Sequence, residues 1–174
     1  MKRNEWKKND MYKKKKMKYG SLVFGKENFV MVKYYQETNE IWEDYAHKNT
    51  LAILAKNMSN AMVFDSDEVP NDIVQIYTEV SVSSKSGWVE TFCMVPPYEE
   101  NCKKNRISVI STLGASLIGL SEGDTLQYGL PGNIMSLKIK KALQSKKAIE
   151  LEIPKESLDK IISNCEENKL TLNK

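Results

Sequence analysis

The run from Ile107 to Gly132, ISVISTLGASLIGLSEGDTLQYGLPG, constrains the fold more than any other stretch of this chain. Ile107 and Val109 alternate with Ser108, as a half-buried strand requires, and Ser111 or Thr112 then offers a hydroxyl to cap a short helix containing Leu113, Leu117 and Ile118. Gly119 stands where a helix ends in left-handed backbone, a conformation glycine adopts without the steric penalty of a side chain, and Gly123-Asp124 supplies a second turn. Leu126, Tyr128 and Leu130 alternate with Thr125, Gln127 and Gly129. Pro131-Gly132-Asn133 then turns the chain into Ile134 to Lys140, where Met135, Leu137 and Ile139 alternate again, so the pair reads as a β-hairpin.

Upstream the spacing changes to that of helices. Lys26 opens a pattern in which Met31, Tyr35, Thr38, Ile41, Trp42 and Tyr45 share a face, predicting a first helix that ends between Glu37 and Tyr45. Asn49 or Thr50 is placed to cap a second helix with the stripe Leu51, Leu54, Ala55, Met58, Ala61 and Met62. Two adjacent helices with facing stripes predict a helical hairpin. Beyond Pro70, Val74, Ile76, Val80 and Val82 alternate with Gln75, Glu79 and Ser81 as one strand, Ser83 to Gly87 is a turn, and Trp88 to Val95 is the return strand. Pro96-Pro97 stops it, and Glu99 to Asn105 is a polar loop. Pro154 suits a helix start ahead of Leu158, Ile161, Ile162 and Cys165, a helix that either docks on the body or binds a partner.

The block from Ile107 to Gly132 resembles the C-terminal domain of the GreA/GreB transcription elongation factor family, and within it most resembles the short regulator of nucleoside diphosphate kinase type. The residues that carry the resemblance are Ile107, Ser108, Ser111, Gly114, Leu117, Gly119, Gly123, Asp124, Pro131 and Gly132, together with the segment Asp67 to Val74. It extends over roughly residues 17 to 141. Thr112 departs from the family's usual proline, Ile110 from the aspartate a cleavage factor can carry there, and Asn133 from a common second glycine. The resemblance implies an α+β fold: an N-terminal antiparallel helical hairpin, then an FKBP-like twisted antiparallel sheet with one short helix. The expected division is a basic, disordered leader over 1–18, the hairpin over 19–69, the GreA/GreB C-terminal domain over 70–143, and a helical extension over 144–174. Family members tend to begin near Met-Lys-Tyr-Gly, which makes Met17 an alternative start.

Composition narrows the chemistry. With 41% hydrophobic and 28% charged residues the balance is that of a globular protein, no apolar run approaches a membrane span, and no secretory signal opens the chain, so a cytoplasmic location is expected. The three cysteines, Cys93, Cys102 and Cys165, lack paired spacing, and a single histidine, His47, reads as an exposed side chain rather than a general base. No metal site, cofactor or catalytic residue is expected. Residues 1–18 hold nine Lys or Arg against Glu5 and Asp10, in a chain of net charge only +3, so the body is mildly acidic. Such a leader supports weak contact with nucleic acid phosphates but no base readout.

In the cleavage factors, as the resemblance implies, a long hairpin enters the secondary channel of RNA polymerase, and its acidic tip helps hold a second Mg²⁺ at the polymerase active site. The candidate tip here is Glu37, Glu40, Glu43 and Asp44, with Ile41, Trp42 and Tyr45 among them. Between Glu27 and Met62 there is room for arms of about 16 residues, roughly 24 Å each, which is short for that task. The polymerase-docking segment of the family maps onto Ser111 with its neighbours Leu113 and Gly114. The expected function is therefore a non-enzymatic, bacterial-type transcription regulator that binds RNA polymerase near its secondary channel without stimulating cleavage. The alternatives are a cleavage factor acting through the tip carboxylates, and an FKBP-like prolyl isomerase or protein-interaction adaptor.

Overall fold

The structure is a computed structural model that describes residues 17–130, 132–151 and 153–172. The basic leader, apart from its last two residues, lies outside the described residues. Strand β1 (Val23–Gly25) leads directly into helix α1 (Lys26–Thr38), a short connection follows, and helix α2 (Tyr45–Met58) returns the chain to strand β2 (Met62–Phe64). β1 and β2 pair in parallel, Val23 opposite Met62 and Gly25 opposite Phe64, so the two helices rise from one bonded base. This is the predicted helical hairpin, with arms of 13 and 14 residues.

α2 starts earlier than its apolar stripe suggests. Asp44 caps it, its carboxylate accepting the His47 amide at 2.8 Å, whereas Asn49 and Thr50 lie inside the helix and the Thr50 hydroxyl donates to the Ala46 carbonyl. An N-cap needs an oxygen aimed at the free amides of the first turn, and Asp44 meets that need ahead of the first buried leucine.

The sheet holds β3 (Glu79–Ser84), β4 (Val89–Val95), β5 (Arg106–Ser108), β6 (Thr125–Leu130) and β7 (Asn133–Leu143) in the order β5-β4-β3-β7-β6. Three of the four pairings are antiparallel; β5 lies parallel to β4 because two 3-10 turns, Pro97–Glu99 and Cys102–Lys104, carry the chain back before it. Helix α3 (Thr112–Leu117) is the single short helix of the domain, ended by Gly119 at φ +80°. The β6-β7 hairpin forms as expected, with Leu126, Leu137 and Ile139 buried.

One strand assignment shifts, and two polar residues are buried that alternation places on the solvent face. The segment from Val74 to Thr78 is irregular rather than the first half of β3, and Tyr77 adopts φ +66°. Gln75, expected on the solvent face, is buried: its side-chain oxygen accepts the Gly25 amide at 3.0 Å and its amide donates to the Val23 carbonyl at 3.3 Å, so it satisfies backbone groups that β1 leaves open. Ser108 is buried as well, next to Val109.

One apolar core joins the hairpin to the sheet. Phe29, Met31, Val32 and Tyr35 of α1 and Leu51, Leu54 and Met58 of α2 share a cluster with Val80, Val82, Leu117, Leu126 and Ile139. α2 packs more extensively on α3 than on α1, and α1 takes helix α4 (Lys155–Leu172) on another side, with Ile161 fully buried. The C-terminal helix thus docks on the body, one of the two fates its pattern left open.

Candidate functional site

The turn before α3 is fixed by its own hydroxyls. Ser111 Oγ donates to the Ser108 carbonyl at 2.7 Å and accepts the Gly114 amide at 3.1 Å, while the Ile110 amide donates to Ser108 Oγ at 3.2 Å. Ser111 is thus the predicted N-cap and stays partly exposed with Thr112 and Leu113. Gly114 is buried: a Cβ there would lie 1.9 Å from the Ser108 carbonyl oxygen. Of the three docking candidates, Ser111 and Leu113 reach the surface, and Gly114 lets the backbone close beneath them.

The α1–α2 connection sits beside this turn. His47 is buried, contrary to the exposed position its isolation in the sequence suggested. Its Nδ1 accepts the Glu43 amide at 3.2 Å, which leaves Nε2 to donate to the Ile110 carbonyl at 2.7 Å. One imidazole therefore ties the tip of the hairpin to the signature turn. Sequence reasoning missed this role because it dismissed His47 as a catalyst and had no way to see a partner 63 residues away.

The four tip carboxylates are all exposed. Glu37 lies in the last turn of α1, Glu40 and Glu43 in the connection, and Asp44 is committed to capping α2. Among the described residues no three His, Cys, Asp or Glu side chains converge as a metal site would require. Ile41, Trp42 and Tyr45 project among the acids, and Lys48 lies over the Trp42 ring at 5.4 Å.

Gly123-Asp124 has a structural duty. Asp124 is buried and accepts from the Ser121 amide and hydroxyl at 2.9 and 3.1 Å and from the Lys18 amide at 2.8 Å. Lys18 and Tyr19 also bond Asp72, at 2.5 and 2.9 Å. Burial raises the Asp72 pKa, but the bonds from Lys18 and Tyr19 outweigh it and hold the carboxyl below its usual value. These contacts fasten the start of the described chain to the domain.

Residues 69–144, which contain the signature turn and all five strands of the sheet, match the family model "Transcription elongation factor, GreA/GreB, C-term". That segment, under half of the chain, is similar to the C-terminal domain of the GreA/GreB factors. The transcription elongation factor GreA of Syntrophus aciditrophicus is 31% identical over 87 residues, 49% of this chain and 54% of that protein. The regulator of nucleoside diphosphate kinase of Escherichia coli K12 is 29% identical over 82 residues, 47% of this chain and 60% of that protein. The solved GreA/GreB factor from Nitrosomonas europaea has the same fold, with a TM-score of 0.59 at 19% identity over 71% of this chain and 98% of that one. The chain spans between about two fifths and two thirds of the length of the curated relatives it matches.

Proposed function

We propose that this protein is a transcription elongation regulator that binds RNA polymerase near its secondary channel, through the partly exposed Ser111 and Leu113 above Gly114, and does not stimulate transcript cleavage. The observation that carries the second half is the hairpin itself. Arms of 13 and 14 residues are roughly 20 Å long, and His47 holds their tip against Ile110, on the same side as the docking turn. A carboxylate held beside the docking turn stays at the surface where the factor lands. Delivering a second metal ion to a buried catalytic centre needs a finger that reaches past that surface.

Two measurements on purified core polymerase test this. The chain is expected to bind at micromolar concentration or better, and no binding in that range defeats the docking reading. In stalled elongation complexes the RNA 3′ end is expected to keep its length; shortening on addition of the chain would make it a cleavage factor working through Glu37, Glu40 or Glu43. The isomerase alternative has only a likeness of fold behind it. Fold likeness alone does not carry an activity.

A further inference from the structure

The tip of the hairpin presents the wrong surface for a solvated loop. Ile41 is 77% exposed, Tyr45 83% and Trp42 47%, three large apolar side chains within five positions. Exposed apolar residues are ordinary when scattered, but a cluster of this kind marks a contact surface. Trp and Tyr are also the residue types that most often dominate binding energy when a partner desolvates them. Around them stand Glu37, Glu40 and Glu43, none in an ion pair among the described residues. The local cation Lys48 is turned onto the Trp42 ring.

The patch is also anchored at its C-terminal side. Asp44 pins the first turn of α2, and His47 bonds both Glu43 and Ile110, so the tip is continuous with the signature turn. Pre-ordering of this sort removes entropy loss that a free loop would suffer on binding.

We propose that Ile41, Trp42 and Tyr45 form a second docking epitope, which seats in an apolar cleft bordered by lysine or arginine on the polymerase surface that also receives the Ser111 turn. The inference rests on the docking reading above. Charge selects the partner: three carboxylates outside any ion pair among the described residues, around an apolar centre, match a hydrophobic cleft with a basic rim and repel an acidic one. In this role the acids steer and orient, and the rings carry the affinity.

Equilibrium titration of immobilised core polymerase tests the assignment, with the full chain compared with a Trp42→Ser/Tyr45→Ser variant and a Glu40→Lys/Glu43→Lys variant. All four positions are exposed, so both variants should keep the circular dichroism spectrum and thermal midpoint of the parent. The ring variant is expected to bind at least tenfold more weakly. The charge variant is expected to lose affinity at low salt, with the loss shrinking as salt rises. If the parent chain fails to bind, the docking reading falls and this one with it. If the parent binds and both variants bind equally well, the tip epitope alone is overturned. A concentration-dependent dimer of the parent that the ring variant abolishes would assign the patch to a second copy of the chain and equally overturn it.

Discussion

Gly114 has no room for a methyl group, since its Cβ position falls 1.9 Å from the carbonyl oxygen of Ser108 and 2.9 Å from Ser111 Oγ. Backbone cannot yield as a flexible side chain can, so Gly114→Ala is expected to lower stability by roughly 3 kcal/mol, read as a drop in the urea midpoint with unchanged slope. Asp72 gives a pH signature. Its carboxyl is held below its usual pKa in the fold, so it contributes stability above the ordinary carboxylate range that is lost as pH falls through the folded value. Unfolding measured from neutral pH down to below about pH 4 should show a decline that flattens in Asp72→Asn; an unchanged profile would remove Asp72 from the account. Neither effect is visible in the sequence alone. Gly114 belongs to the family pattern without announcing which carbonyl it must clear, and the partners of Asp72 lie 53 and 54 residues away.

Among the elements, period and punctuation carried the reading far. The helix ended by Gly119, the β6-β7 hairpin and the short arms of α1 and α2 all follow from local spacing and turn residues. What local pattern misses is decided by neighbours. Gln75 reads as solvent-facing by alternation but serves open backbone groups of β1, and a period of two cannot tell that β5 joins β4 in parallel. α2 starts earlier than the spacing suggests because Tyr45 falls in register with the stripe of α1 although it opens the next helix. Asp44→Ala should therefore destabilise the protein by about 1 kcal/mol and loosen amide exchange in that first turn, while Asn49→Ala should do neither.

For the whole molecule, one core serves the hairpin and the sheet, and the C-terminal helix packs on α1 with Ile161 buried. β7 ends at Leu143, and the Gln144 side-chain amide donates to the Pro70 and Ile73 carbonyls, so contacts run between the segment after the sheet and the segment before it. Ile161 shows this best: it is 1% exposed, so Ile161→Ala is expected to cost about 2–5 kcal/mol in a single cooperative transition. A variant with unchanged stability would make the extension a free adaptor arm. The candidate site was half readable in the same sense. Ser111 and the acidic tip residues stand out in the sequence, whereas their adjacency depends on a buried histidine that no spacing rule selects.

The parallel pairing of β1 with β2 has a mechanical corollary. Val23 also donates to the Gly119 carbonyl at 3.0 Å and Met62 to that of Leu22 at 2.9 Å, so both roots of the hairpin are stitched to each other and to the end of the signature helix. A force pulling the tip away from the body would load those bonds along the strands, in shear, where several must fail together instead of one after another. The hairpin is built as a bracket, and a partner that pushes on its tip pushes on the whole protein.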